Sequence, residues 1–232
     1  TMKKLIQSFL PIFILSSQVF AIAGFGAQLG QSMFSVEENS PTLSVPGVTL
    51  KNGAYDNAYS LGGYFYIDAI PVVDLEVDFN IQGNKYDINF ENALGVKMDP
   101  LNFAWGSTDV YFTVRKKIIG IGIPFLGKAK LFAGGGYNAH ISTPIANKEM
   151  LTELCDDDLA KCDVTSLEKD LETYLTNKDN YLNPSGFHIQ GGLQFKLLML
   201  DSFLFYRHVI DDDVIPGAKG FGSLNLRLGM GF

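Results

Sequence analysis

Two short phrases carry residue types that could do chemistry. His140-Ile141-Ser142 sets an imidazole and a hydroxyl two positions apart, so on an extended strand both project from one face. A His so placed can serve as general base toward a Ser nucleophile, as in acyl transfer. A third member is missing, because no carboxylate on a neighbouring strand is evident to orient the imidazole. The parity of the strand also turns the pair toward its polar face, and the plainer reading is a loop-edge His. Cys155 and Cys162 enclose Asp156-Asp157-Asp158. In an exported chain such a pair is expected to form a disulfide, and a redox or metal role is the weaker alternative. There is no phosphate loop, no EF-hand spacing and no defensible catalytic carboxylate pair. No catalytic, cofactor or metal residue is assigned.

A third set is larger and dispersed. Asp68, Asp74, Glu76 and Asp78, with Arg115, Lys128, Lys130, Lys196 and Arg227, all fall on the polar face of alternating segments. The clearest segment sets Val73, Leu75, Val77, Phe79 and Ile81 against Asp74, Glu76, Asp78, Asn80 and Gln82. The last sets Leu224, Leu226, Leu228, Met230 and Phe232 against Ser223, Asn225, Arg227, Gly229 and Gly231. Strict alternation of this length predicts strands with one apolar and one polar or small face. Six more follow the same rule, at about 25–32, 59–68, 109–115, 128–138, 188–197 and 202–209. The 202–209 segment is the least regular, with Phe203, Leu204, Phe205 and Tyr206 in a row and Arg207 placed inward.

Eight strands is an even number, and the connections between them alternate in length. Those at 69–72, 120–127 and 198–201 are short; those at 33–57, 83–107, 141–185 and 210–218 are long. Short turns at one end and long loops at the other suit a barrel closed across a membrane. The third long loop holds ten Asp or Glu and four Lys, a net of −6. Thr165-Ser166-Leu167-Glu168 reads as a capping box, predicting a helix over 166–176 with Leu167, Leu171 and Leu175 on one face. Asp211-Asp212-Asp213 in the fourth long loop would extend the same acidic rim.

The first residues read as an export signal: Lys3 and Lys4, an apolar run from Leu5 to Leu15, and Ala21-Ile22-Ala23 as a cleavage site, with Val19-Phe20-Ala21 as an alternative. Residues 1–23 are thus a signal peptide, with Thr1 extraneous, and 24–232 the mature domain. A formal net charge of −7 disfavours nucleic acid as a partner. A lipocalin-like soluble barrel shows the same alternation with its faces reversed; the one-sided loops and the terminal Phe232 favour the membrane form.

Ala133-Gly134-Gly135-Gly136-Tyr137 and the segment Leu224 to Phe232 resemble the small eight-stranded outer-membrane barrels of the OmpA/OmpX kind. The resemblance implies an all-β, antiparallel, up-and-down transmembrane barrel in the bacterial outer membrane. It implies Phe232 as the signal read by the outer-membrane assembly machinery, and lipid and lipopolysaccharide as surroundings of a monomer. No peptidoglycan-binding domain is expected after the last strand. His-x-Ser is similar to the motif of outer-membrane lipid A deacylases, which makes a lipid-modifying enzyme the third reading. A narrow solute pore is the second. The first is a non-enzymatic barrel displaying acidic loops, for envelope structure or a surface partner met by the third loop. The nine dispersed charges are expected to interlock inside a narrow lumen, since an isolated buried charge costs several kcal/mol.

Overall fold

The computed structural model describes residues 23–232 except 42, 44, 69–71, 124–126, 157, 161, 212, 213, 216 and 217. The export signal therefore lies outside the described residues, apart from Ala23. Nine strands form one antiparallel sheet: β1 Ala23–Val36, β2 Thr49–Asn52, β3 Tyr55–Ile67, β4 Asp74–Glu91, β5 Leu101–Ile123, β6 Gly127–Ser142, β7 Ser185–Leu197, β8 Leu200–Ile210 and β9 Phe221–Gly231. Pairing runs β4-β3-β1-β9-β8-β7-β6-β5 and returns from β5 to β4, so eight strands make a closed ring. The ninth, β2, pairs with the far end of β4, and its Asn52 also bridges Asn39. Residues 49–52 fall within the long connection 33–57 of the sequence pattern, where no strand is expected.

Register defines the ring's geometry. Followed across the strands from Asp74 through Arg115, Gly134, Gln190, Arg207, Ser223, Ser32 and Ala58, it returns to β4 one place beyond Gly83, ten residues above its start. A fixed stagger of this kind tilts the strands of a closed sheet. Interior space is scarce. A Cβ added at Gly136 would collide with the Phe112 carbonyl oxygen and the Thr113 backbone. Gly136→Ala should therefore force two strands apart and cost about 1–3 kcal/mol, read as a lowered midpoint in urea unfolding of the refolded protein.

Several strands run further than the alternation of apolar-outside residues suggested, and the reason is physical. On β4, Leu75, Val77, Phe79 and Ile81 point outward and are exposed, while Glu76, Asp78, Asn80 and Gln82 point inward and are buried. Beyond Gly83 the faces exchange character: Tyr86, Ile88 and Phe90 are buried inside, and Lys85 and Asp87 are exposed outside. β5 does the same, with Trp105 buried inside and Asn102 exposed outside. The ring thus has two levels. One is apolar outside and polar within; the other has the ordinary polarity of a domain in water.

The third long loop closes the second level. It contains α1 (Lys148–Leu154) and α2 (Val164–Thr176), followed by a short 3-10 turn at Lys178–Asn180. Asn147 caps α1 by accepting a 2.8 Å bond from the Met150 N–H. The second helix starts two residues earlier than the sequence suggested, and the Ser166 hydroxyl donates to the Asp163 carbonyl at 3.3 Å. The side chains of Thr165 and Glu168, the remaining capping-box residues, lie outside the described ones.

Candidate functional site

The polar interior of the first level is where most of the dispersed charges meet. Glu76 and Asp78 leave the inward face of β4, fully buried. Glu76 lies 3.1 Å from Arg115, 2.8 Å from Arg227 and 4.0 Å from Arg207. Asp78 pairs with Arg227 at 2.5 Å and with Arg207. Arg115 extends toward the rim, 3.3 Å from Asp74 and 3.5 Å from Asp68, and Lys130 adds a 3.3 Å pair to Asp68. Gln190 donates to Glu76 at 2.9 Å, and Arg227 donates to Gln28 at 2.5 Å. These contacts span β1, β4, β5, β6, β7, β8 and β9. Side chains from opposite walls therefore meet across the ring.

Aromatic faces take up the rest of the space. The Arg115 guanidinium lies 4.9 Å from the Phe203 ring, Arg227 lies 4.3 Å from Phe205, and Arg207 lies 3.9 Å from Tyr111. Guanidinium groups stack well on rings while still bonding carboxylates at their edges. Arg207 belongs to the centre of this network although the sequence reading left it out of the charged set. The run Phe203 to Tyr206 obscured its strand: Phe203 and Phe205 point inward because cations are there to stack on them. Asp201 was also missed. It accepts from Tyr66 and from Gln194, and it faces Lys196 across the β7–β8 pair. Lys128 sits lower, exposed on the hairpin between β5 and β6.

His140 and Ser142 both face inward and are buried. Asp109 stands directly opposite His140 on β5, and the His Nδ1–H donates to it at 2.7 Å. That carboxylate was the partner not evident in the sequence. The other ring nitrogen accepts from the Asn138 amide at 2.7 Å, and Asp211 lies 3.7 Å from it. Its lone pair is therefore occupied, and among the described residues the buried Ser142 hydroxyl makes no hydrogen bond to it that would make it a nucleophile. Asp109 further accepts from Gln82 at 2.9 Å and from Ser107 at 2.5 Å. Asp211 is buried here and hydrogen-bonded to Asn138, which removes it from the proposed acidic rim. Asp212 and Asp213 lie outside the described residues. Among the described residues, no group of His, Cys and carboxylates could hold a metal ion.

Above the His lies an apolar core shared by the sheet and the third loop. Leu151, Leu167 and Leu171 are fully buried, clustered with Leu50, Ile88, Phe90 and Trp105. Burial there pushes the Tyr86 hydroxyl up to about 12, so it stays protonated at growth pH. Glu149, Glu153, Asp156, Asp158, Glu172 and Asp179 remain exposed. Cys155 and Cys162 are joined by a disulfide between the two helices, both half-cystines buried in the same core. The closed loop is short, so its chain-entropy contribution is under the ~3 kcal/mol of a 15-residue loop. Replacing both with Ser should leave urea unfolding of the ring nearly unchanged and raise the rate of proteolysis between α1 and α2; a large shift of the main transition would contradict this.

At the opposite rim Phe232 is exposed, its ring 5.9 Å from Phe25, and its N–H donates to the Ala23 carbonyl at 2.8 Å.

No family model and no curated protein sequence matches this chain. Among solved structures it is similar to the outer membrane protein OprG from Pseudomonas aeruginosa, at 10% identity and a TM-score of 0.47 over 90% of this chain and 95% of that one. It is also similar to Ail, the attachment invasion locus protein of Yersinia pestis, at 11% identity and a TM-score of 0.36, covering 90% and 97%. For the N-terminal β-barrel domain of Pseudomonas aeruginosa OprF the values are 10% and 0.36, covering 90% and 99%. Likeness this distant carries no argument about residues or activity.

Proposed function

We propose that this chain is a non-enzymatic barrel of the bacterial outer membrane that presents a folded, acidic cap at the cell surface. The observation that carries the reading is the exchange of faces on β4 and β5. Exposed Leu75 to Ile81 over a charged interior suits lipid outside, and exposed Lys85 and Asp87 over Ile88 and Phe90 suits water. The apolar level is ten residues long on β4, from Asp74 to Gly83, which is the span of a tilted strand across a bilayer. The amino-terminal signal directs export. Of the two cleavage sites, the one after Ala21 preserves the Ala23–Phe232 backbone pair.

The cap serves envelope structure or contact with a surface partner. Its helices are fixed by a core and a disulfide, so a partner meets a preformed acidic surface and no ordering cost accompanies binding. The ion-paired lumen below it serves stability and closure. The buried His140 has no access to lipid, which argues against a lipid-modifying role.

Surface display has a direct test. An epitope inserted between Asp179 and Asn180 should be labelled on intact cells, and one inserted between Leu198 and Met199 only after the outer membrane is permeabilised. The reverse pattern, or labelling of both on intact cells, would refute the orientation.

A further inference from the structure

β5 does not stop where the ring does. Its partner β4 begins at Asp74, opposite Arg115, yet β5 continues through Lys116 to Ile123. Stagger explains little of this overhang, because ten residues shared among eight strands is little more than one residue per strand. From Gly106, where the faces exchange, to Ile123 is eighteen residues. A bilayer needs about 9–11 per tilted strand. Counted down from the water-facing level, the apolar level ends near Arg115, and the exposed Lys116 marks its edge. The remainder of the β5–β6 hairpin therefore projects beyond the membrane on the side of the short turns.

Two features of this projection are unusual. It has an open edge: β6 pairs with one side of 116–123, and among the described residues no strand pairs with the other. It is also apolar. Ile119, Ile121 and Ile123 are exposed by 62%, 76% and 65%. A register shift between Lys117 and Ile119 turns them to the same face as Leu131 and Ala129. Lys116 and Lys117 are exposed at its start with no ion pair among the described residues. An unpaired edge that carries alternate exposed isoleucines is a template for a further strand.

We propose that the Lys116–Ile123 edge is a docking site for an extended acidic segment of a periplasmic polypeptide, which adds a strand antiparallel to β5 beyond the end of β4. This rests on the membrane orientation given above. Backbone bonds supply the pairing, the isoleucines pack alternate apolar side chains, and the lysines select carboxylates. A second copy does not fit: in one membrane both β5 strands run in the same direction, and their unpaired lysines would be brought together.

The test uses the refolded protein in lipid nanodiscs and three labelled eight-residue peptides, alternating Val-Glu, alternating Val-Lys, and the Val-Glu peptide with a central Pro. The Val-Glu peptide should bind saturably, and the other two at least tenfold more weakly. The pair Lys116→Glu and Lys117→Glu should reverse the preference, and Ile119→Asn with Ile121→Asn should weaken it tenfold, while urea unfolding of the ring stays unchanged. A Trp introduced as Ile121→Trp, in a Trp105→Phe background, should escape quenching by brominated lipid chains and shift to the blue when the Val-Glu peptide is added. Quenching by the lipid would assign this face to the bilayer and overturn the proposal. So would equal binding of all three peptides, or none at millimolar concentration.

Discussion

Glu76→Ala is expected to cost about 3–5 kcal/mol in the unfolding free energy of the lipid-refolded protein, the range for breaking a buried ion pair by removing one partner. The size follows from what is left behind. Glu76 is the carboxylate nearest Arg115 and one of two that face Arg227. Without it, Asp78 alone would face Arg207 and Arg227 in a space with no exposure to water. Glu76→Gln should cost less, because the amide oxygen still accepts from Gln190 and an arginine while the charge is lost. A change under about 0.5 kcal/mol for Glu76→Ala would mean that hydrated, loosely held charges fill the lumen.

Leu226→Arg should lower stability in the bilayer by about 2–4 kcal/mol, as for a charge on the lipid face near the midplane. Leu226 is exposed, and it faces Leu204 and Leu29 on the neighbouring strands in the middle of the apolar level. Leu226→Phe should be close to neutral, since lipid accepts either side chain. The comparison is made on heat-dependent gel mobility and urea midpoints of the refolded variants. Equal tolerance of Arg and Phe would mean that this face meets water, which is the prediction of the lipocalin-like alternative.

Alternation made the level that is apolar outside readable from the sequence. On β4 and β9 nothing else produces Leu75-Val77-Phe79-Ile81 or Leu224-Leu226-Leu228-Met230 at period two. The same rule placed the strand ends too early. Past Gly83 the apolar residues change sides, so Tyr86, Ile88 and Phe90 look like a break in the pattern although the strand continues. The cap was half legible. Leu167, Leu171 and Leu175 at helical spacing marked α2, but α1 has two buried residues, Met150 and Leu151, in seven positions and gives no such signal. Arg207 depends on contacts between strands distant in sequence, and Asp109 on the register of the β5–β6 hairpin, neither of which a local pattern carries. A useful sign was available for Arg207: a cation flanked by Phe205 and Val209 at period two has to pair with something inside.

Single-channel recording on the unmodified protein in planar bilayers tests the closed lumen most directly. With Glu76, Asp78 and the three arginines meeting across the ring and the leucine core above them, the account predicts no stable conductance at neutral pH, and brief or noisy openings for Glu76→Ala with Asp78→Ala. Large, steady currents from the unmodified protein would contradict it and make the chain a pore.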